Sequence, residues 1–546
     1  MKGKGKILLV GAEDEENLAI RYLGAELQKL GHVVKIIPYS NYNEFQGVLK
    51  EFEEFNPDIV AVSMAFQSLA TMFLDLIQKI KEIKPEVHVT VGGHFPTFEF
   101  EKLLKSYDID SVIRFEGEIP LVKLVNAIIN NQSLDDVPNL VYKSYENGSV
   151  KENQVITSFP DLDNLAFPLR GVKPQTRLGE NFATLVTSRG CFHSRCIYCC
   201  IGAFHQFKSG LPYTLRTPEN VAREMGELYH NQKIRLFQFH DDNFLLPSKK
   251  RSYHRLNSLK KSLLKEKVEL EDIALLIKTR PDGVNEDIVS LLEEMGTVGV
   301  FLGVENASTS GLKALARFST EDDINYSLEL LKDRDMGVTF NLLMFHPRAT
   351  LEEINNNIYF MKKNVSLAFD FGRAEIVAGS PLEKLVKRKG LLRGQWPHWD
   401  YRIQDDAVEK LFRLNALTFY RENSLHPKLS HKLIALSYRS ELLQRFYPGN
   451  KSKKLKNKTK NLIIASNEFT LDSLLQIYSL VAESVFKEEI DILSEKMDFF
   501  YGNSIKKAEE LEGQMLRFQM VGKQFQERGV NDYFQNSPTL ARIFRI

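Results

Sequence analysis

The sequence predicts an α/β protein with two successive strand-and-helix series followed by a mostly helical C-terminal region, and three observations carry that expectation. Apolar runs alternate with amphipathic stretches from Lys6 to Val91. A second alternation of the same kind begins at Phe182. After Trp396 the pattern turns largely helical through Ile546. At 546 residues the chain exceeds one ordinary core and suits two or three domains, with 43% hydrophobic residues to fill them.

In the first series Lys6 to Val10 reads as a strand, Glu16 to Leu30 as a helix and Val33 to Pro38 as a second strand. A helix from Tyr42 to Phe55 and the buried-type strand Ile59 to Ser63 follow. Another helix reaches Ile83, and the strand Val87 to Val91 ends in Gly92-Gly93. Such alternation predicts a parallel sheet with helices on both faces. Ligands of open sheets of this kind sit at the carboxyl ends of the strands, where Ser63 and Gly92-Gly93 fall. From Val137 to Arg170 prolines, Asn147-Gly148 and short β-prone runs break the rhythm, as a connecting segment does.

The second series offers the strands Thr184 to Ser188, Ile234 to Phe239, Ala274 to Lys278, Gly299 to Val304, Gly337 to Met344 and Phe369 to Val377. Helix patterns such as Glu219 to Asn231 and Asn285 to Met295 separate them. Six strands with helical crossovers predict a partial (β/α)6 barrel, with its chemistry in the loops after the strands. The expected division is therefore 1–140, a connecting segment 141–180, a core at 181–395 and a helical region at 396–546. The lysine-rich stretch Lys451 to Lys460 reads as a solvated loop.

Charge excludes some partners. Lysine and arginine total 72 against 71 acidic residues, so no global field attracts nucleic acid or an anionic membrane surface. The apolar run near the start is too short for a signal peptide, and no window approaches a membrane span. The expected location is the cytoplasm, where thiols stay reduced. The chain has only four cysteines, and all of them lie between Cys191 and Cys200, which leaves none for a disulfide framework.

The decisive segment is Thr187-Ser-Arg-Gly-Cys191-Phe-His-Ser-Arg-Cys196-Ile-Tyr-Cys199-Cys200, directly after an apolar strand. Three thiolates from one tight loop can hold three irons of a cubane, leaving the fourth iron open, and Gly190 lets the backbone turn close to it. The alternative is a structural zinc site, but zinc normally gathers ligands from two separated knuckles, and there is no second knuckle here. Adjacent Cys199 and Cys200 fit poorly into one unstrained tetrahedron.

This segment resembles the radical S-adenosylmethionine (SAM) superfamily, whose usual pattern is Cys-x3-Cys-x2-Cys with an aromatic residue just before the last cysteine, a place that Tyr198 fills. One extra residue between Cys191 and Cys196 departs from that pattern and is similar to some cobalamin-dependent members. The resemblance implies a [4Fe–4S] cluster on Cys191, Cys196 and Cys199, with Cys200 a neighbour. It further implies that SAM binds the open iron and is cleaved reductively to methionine and a 5′-deoxyadenosyl radical.

Downstream residues are similar to the family in order and spacing. Thr217-Pro-Glu219-Asn220 opens a helix before Phe237-Gln-Phe-His-Asp241-Asp242-Asn243-Phe244, which resembles the Asp-Asp-x-Phe element. On residue type alone Asp242 and Asn243 would equally serve as helix caps. Lys278-Thr-Arg280-Pro-Asp282 resembles the third-strand end. Phe301-Leu-Gly-Val-Glu305-Asn306 resembles the fourth-strand segment, whose glutamate approaches SAM. Leu343 to Glu353 is similar to the fifth-strand Gly-x-Pro-x-x-Thr-x-Glu loop, with His346 near the usual glycine. Tyr198, Asp242, Arg280 and Glu305 are thereby the expected SAM-side residues.

Residues 1–140 resemble the Rossmann-like cobalamin-binding domain of the same branch. Asn17 to Gly24 matches its first helix, Val91-Gly92-Gly93-His94-Phe-Pro-Thr97 its glycine turn, and Phe115-Glu116-Gly117-Glu118 its acidic turn. Ser63, Gly92, Gly93 and Thr97 are the expected cobalamin contacts, with glycines allowing close approach and hydroxyls donating hydrogen bonds. The Asp-x-His-x-x-Gly segment that supplies a cobalt ligand in other cobalamin proteins is absent. Either cobalt takes no histidine from this chain, or the domain only scaffolds the barrel. Beyond Trp396 no family is recognised; Trp396, Trp399 and Tyr401 are candidates for lining a pocket, with core packing as the plainer role.

The resemblance implies a cobalamin-dependent methyltransferase acting on a small-molecule or peptide substrate, with an external electron donor such as flavodoxin or ferredoxin, and with neither nucleic acid nor membrane as partner. A cyclase or rearrangement enzyme using the same cofactors is the second reading, and a non-catalytic iron–sulfur protein the third. No residue is assigned to catalysis beyond cofactor binding.

Overall fold

The structure is a computed structural model that describes residues 3–13, 15–144, 148–334, 336–421, 424–482 and 487–527. Asn147, expected in a turn, and the last stretch of the expected helical region, 528–546, lie outside the described residues. No described helix is long and apolar enough to cross a membrane. The chain forms two compact units that interleave along the sequence. One comprises Met1–Gln175, Thr184–Asn220 and Glu375–Tyr401; the other comprises Thr176–Ala183, Val221–Ala374 and Arg402–Ile546.

The first unit is built on a seven-stranded sheet in the order β2-β1-β3-β4-β5-β6-β7. Its strands are β1 (Lys6–Gly11), β2 (Val33–Pro38), β3 (Ile59–Ser63), β4 (His88–Gly92), β5 (Ser111–Ile113), β6 (Leu140–Lys143) and β7 (Val150–Glu152). The first five pair in parallel, and β6 and β7 add an antiparallel edge. Crossover helices α1 (Leu18–Lys29), α2 (Phe45–Phe55), α3 (Ala70–Ile83), α4 (His94–Ser106) and α5 (Glu118–Ile129) connect them. The strands are apolar on both faces because both are covered: Leu8, Val10, Val60 and Val62 pack on one side, and Ile7, Leu9, Ile59 and Ala61 on the other. Strand order reverses between β1 and β3, which is the switch point where such sheets bind ligands.

The expected connecting segment is anchored rather than loose. Arg21 donates to the Leu169 carbonyl at 2.8 Å, and the Ala166 amide donates to Glu26 at 2.6 Å, so the chain lies along α1.

The second sheet, also of seven strands, begins with β8 (Gln175–Arg177) and β9 (Glu180–Leu185). The chain then leaves it for the hairpin β10 (Ser188–Gly190) and β11 (Tyr213–Leu215), with the one-turn helix α6 (Ile201–Phe204) between them. It returns through α7 (Pro218–Asn231) to β12 (Leu236–Phe239), α8 (Lys249–Lys265), β13 (Ala274–Thr279), α9 (Glu286–Glu294) and β14 (Thr297–Leu302). After α10 (Thr309–Ala314) and α11 (Glu321–Lys332) come β15 (Gly337–Phe345), α12 (Leu351–Lys363) and β16 (Ala368–Arg373). The order β16-β15-β14-β13-β12-β9-β8 follows the chain strand by strand, as an open barrel wall requires.

The two faces of this wall differ. Phe340 packs on Phe360 of α12, marking the outer face of crossover helices. Thr339, on the opposite side, shares a hydrogen bond with Tyr438 of the helix α15 (His426–Phe446). After α13 (Pro381–Arg388), the C-terminal helices are α14 (Asp406–Thr418), α15 (His426–Phe446), α16 (Asn450–Ser479) and α17 (Lys487–Glu527). Gly299 and Gly337 make room for the Tyr438 ring: a Cβ at Gly299 would lie 2.6 Å from it. Helix α15 thus forms a floor on the inner face, with Phe182, Leu236, Ala274, Leu276 and Leu442 as its core.

The lysine-rich stretch is not a loop. It is the start of α16, where Ser452, Leu455 and Thr459 are buried at helical spacing and most of the lysines between them point to solvent.

Candidate functional site

The cysteine loop is shaped by backbone constraints. Gly190 lies at φ +84°, and a Cβ there would fall 2.3 Å from the Pro212 carbonyl oxygen, so only glycine fits ahead of Cys191. Two turns follow, with the Ser194 amide donating to the Cys191 carbonyl and the Cys199 amide to the Cys196 carbonyl, both at 3.2 Å. Gly202 in α6 stacks directly on Ser194, since a Cβ would meet its carbonyl oxygen at 1.9 Å. Cys196 is buried, while Cys191, Cys199 and Cys200 are half-buried. Tyr198 lies half-buried inside the second turn. Among the described residues no three His, Cys, Asp or Glu side chains converge to the spacing of one metal ion. The donor set, four thiols on one short loop with no histidine-bearing second knuckle, fits the chemistry of an iron–sulfur cubane.

The loop is tied to the N-terminal sheet by charge. Arg189, two residues before Cys191, donates to Glu118 at 2.6 Å and lies 3.9 Å from Glu116, and its guanidinium sits over the Tyr22 ring. Lys208, after α6, reaches Glu116 at 2.6 Å with its side chain only 3% exposed. Burial alone pushes the Glu118 carboxyl up, but the Arg189 charge and hydrogen bond, with that of its own amide, hold it below the usual carboxylate range. Glu116 is the reverse: burial outweighs Lys208 and Arg189 and leaves its carboxyl raised. The acidic turn therefore acts as a clamp on the cysteine loop.

At the switch point three small residues stand side by side, Gly11 of β1 opposite Ser63 of β3, and Ser63 opposite Gly92 of β4. Gly93 follows at φ +103°, where a Cβ would meet the Met64 carbonyl at 2.9 Å. Ser63 is half-buried, and its hydroxyl makes no hydrogen bond among the described residues. Gly11 is buried against Asn17, so the half-buried Ser63 and Gly92 are the small residues left at this edge, and the Ser63 hydroxyl fits the nucleotide tail of a cobalamin. Thr97 is different. It is fully buried, donating to the Gly93 carbonyl and accepting from the Phe115 amide, both at 2.8 Å, so it braces the glycine turn against the acidic turn instead of facing a ligand. His94 donates from Nε2 to the Ala378 carbonyl at 2.8 Å, which commits that nitrogen within the fold.

Segment 375–401 was not singled out by the sequence for this role. Gln67 clasps it from both sides, donating to the Ile376 carbonyl and accepting from the Ala378 amide at 2.9 Å each. The Leu382 amide donates to the Ile197 carbonyl in the cysteine loop at 2.8 Å. Trp396 packs on Phe95 and Tyr107 of the N-terminal unit and donates to Glu99 at 2.8 Å, which makes it a packing residue.

In the second unit the strand ends carry the remaining candidates. Asp242 is half-buried after β12. Asn243 caps no helix, since Ser248 caps α8. Its side chain instead accepts from the Arg280 amide at 2.9 Å and joins the β12 and β13 ends. Arg280, expected at a cofactor, is buried and clasped by Asp282 at 2.9 and 3.1 Å, with Ser319 at 3.3 Å. That engagement makes it a brace of the third-strand end.

Glu305 is the outlier of the wall. It is a non-glycine residue at φ +65°, held there by its amide donating to Asn341 at 3.1 Å and by the Leu343 amide donating to its carbonyl at 2.6 Å. That conformation costs roughly 1–2 kcal/mol, and such strain gathers at functional positions. His346 fills the place expected for glycine. Its Nδ1 accepts from the Arg348 amide at 3.3 Å, so Nε2 carries the proton toward Glu353 at 3.1 Å, and Thr350 and Glu353 form the capping box of α12. The loop is thus built by a braced imidazole, without backbone in the left-handed region.

Residues 6–125 match the B12 binding domain family and residues 185–360 the radical SAM superfamily. A protein of Pyrococcus horikoshii named as an uncharacterized methyltransferase is 26% identical over 436 residues, 79% of this chain and 86% of the relative. The anaerobic magnesium-protoporphyrin IX monomethyl ester cyclase of Synechocystis sp. is 26% identical over 347 residues, 60% of this chain but only 63% of that relative. Among solved structures the cobalamin-dependent S-adenosylmethionine radical enzyme OxsB with aqua-cobalamin bound matches with a TM-score of 0.63 and 17% identity, covering 92% of this chain and 84% of that one.

The clamp makes a prediction. Glu118→Gln leaves Arg189 buried without its closest countercharge, and a lost partner of this kind costs about 3–5 kcal/mol. Because the folded pKa of Glu118 is lowered, its stabilisation is present above the ordinary glutamate pKa of about 4.3 and is lost as pH falls through the lowered folded value. Denaturation of both proteins from pH 7 to pH 3 should show the gap between them closing at the acid end. A gap that does not depend on pH would mean that the carboxylate charge is not what holds the loop.

Proposed function

The chain joins a B12 binding domain to a radical SAM domain and so belongs to the cobalamin (B12)-binding-domain radical SAM enzymes; from that premise we propose that it methylates a carbon atom of a small-molecule or peptide substrate, using SAM, a [4Fe–4S] cluster and cobalamin. When bound, the cluster supplies the electron that cleaves SAM and cobalamin carries the methyl group. The single observation that carries the reading is that the cysteine loop and the sheet edge with its Gly11–Ser63–Gly92 row belong to one compact unit, clamped by Glu118–Arg189 and Glu116–Lys208. A fixed relation between a radical generator and a methyl carrier is what such a transfer requires.

In this reading Cys191, Cys196 and Cys199 hold the cluster, and Tyr198 packs beside the third thiolate. Asp242 and Glu305 accept hydrogen bonds from the ammonium and ribose of SAM. Ser63 donates to the nucleotide tail of the cobalamin, and Gly92 and Gly93 let it approach. Thr97 and Arg280 act through the turns they brace. An external one-electron donor of the flavodoxin or ferredoxin class reduces the protein. Ring closure without methyl transfer is the second reading, favoured by the similarity to a named cyclase.

Three outcomes test this function. Alanine at Cys191, Cys196 or Cys199 should abolish the iron–sulfur chromophore while Cys200→Ala keeps it, as read by iron and sulfide content. A complete cluster without Cys199 would move the third ligand to Cys200.

Glu305→Ala should retain the cluster and weaken SAM binding by about 1.5–3 kcal/mol, the cost of a lost charge-assisted hydrogen bond. Deoxyadenosine release across SAM concentrations measures it, and unchanged affinity would leave Glu305 a structural residue.

With SAM bearing a deuterated methyl group, the product should gain the intact label, with S-adenosylhomocysteine and deoxyadenosine formed in comparable amounts. Deoxyadenosine and an altered product without the label would establish ring closure or rearrangement.

A further inference from the structure

The inner face of the second sheet is chemically lopsided. Gln238 of β12 stands in register with Leu276 of β13, so Lys278 continues the inner-face series of β13, and His240 follows one residue past the end of β12, its Nε2 3.2 Å from the Gln238 side-chain nitrogen. Both keep part of the side chain open to solvent. Arg177 of β8 completes the group, its guanidinium 5.4 Å from the ring centre of Phe182, which shares the inner core with Leu276 and Tyr438. On the far flank Asn341 of β15 and Asp370 of β16 stand opposite each other in register. The buried Asn341 Oδ1 has no hydrogen-bond partner among the described residues. Basic donors gather at one side of the face, and an amide and a carboxyl at the other.

Burial, with Lys278 and Arg177 nearby, lowers the His240 pKa to about 4 against the opposing pull of Asp241. His240 is therefore neutral at physiological pH, its Nε2 accepts from the Gln238 side chain at 3.2 Å, and its N–H is on Nδ1. Its neighbour Asp241 is fully buried. The Lys278 ammonium makes no ion pair or hydrogen bond among the described residues.

We infer that Arg177, His240 and Lys278 form an anion subsite on the inner face of the barrel wall that takes a phosphate or carboxylate group of the substrate. A planar guanidinium fork, a point-charge ammonium and a neutral imidazole N–H supply the mixture of donors that a group with two or three equivalent oxygens accepts. The inference deepens the methyl-transfer reading by naming the substrate class, a molecule with at least one anionic group, and it rests on that reading for what is done to the substrate.

The test titrates inorganic phosphate and acetate separately into the reconstituted holoenzyme by calorimetry, without turnover. Saturable binding of one of the two is expected, and which one binds identifies the anionic group. Lys278→Gln and Arg177→Gln should each weaken that binding at least tenfold, Arg177→Lys should restore part of it, and SAM affinity should stay unchanged. Absence of saturable binding in the wild-type enzyme, or equal binding in the variants, overturns the subsite. A parallel loss of SAM affinity in Lys278→Gln also overturns it, by assigning the cations to the SAM carboxylate. Because the readout needs no methyl transfer, a protein that binds the anion but transfers no label keeps the subsite and loses only the methyl-transfer reading.

Discussion

Four charges removed from water together, Glu116, Glu118, Arg189 and Lys208, are the constraint on which the cysteine loop depends. Desolvating each ion costs several kcal/mol, and that cost is offset only when all partners are in place. A loop shifted by one residue would turn Arg189 away from Glu118 and leave both buried and uncompensated. The clamp therefore favours one register of the β10 hairpin, and with it one position for Cys191. The two carboxylates share the load unequally. Arg189, with the Glu118 amide, holds Glu118 below the usual carboxylate range, whereas Glu116 keeps a raised carboxyl beside Lys208. A charge that is only partly compensated is tolerated where it serves to specify geometry more than to add stability.

The same loop is braced from its other side by a segment far away in sequence. Gln67 after β3 and His94 after β4 hold residues 376–378, and Leu382 a few positions later holds Ile197. Each bond satisfies a backbone or side-chain polar group that the crowded edge of the sheet would otherwise strand. The edge carrying Ser63, Gly92 and Gly93 and the turn carrying Tyr198 are thus supported by one stretch of chain. A disturbance at Gln67 would reach the cysteine loop through this stretch, with no direct contact between the two.

In the second unit the corresponding constraint is helix α15 on the inner face. Its Tyr438 requires the missing side chains of Gly299 and Gly337, and its placement leaves the upper part of the wall to polar residues. Above that floor Glu305 is held in the left-handed region by the bridge to β15, strain that the neighbouring strand sustains. The pattern is that of a rigid scaffold presenting a few polar groups at the carboxyl ends of its strands.

Much of this was legible without coordinates. The strands of both sheets and the helices N-capped by Asn17 and Asn285 follow from apolar periodicity and end signals, because these depend on neighbours within a few residues. The cysteine spacing was legible for the same reason, since all four cysteines lie on one loop. The sequence did not disclose what Glu116, Glu118, Arg189 and Lys208 do, that Arg280 pairs with Asp282, that Thr97 braces a turn, or that Lys451 to Lys460 is helical. Those depend on which residues meet across long stretches of chain, and residue type alone leaves a buried charge, a ligand and a solvated side chain indistinguishable. Local chemistry and periodicity were therefore set by the sequence by itself. Only the tertiary structure decided which polar groups are used up inside the fold and which remain to meet a ligand, because satisfaction of a buried group is a property of its partner as much as of itself.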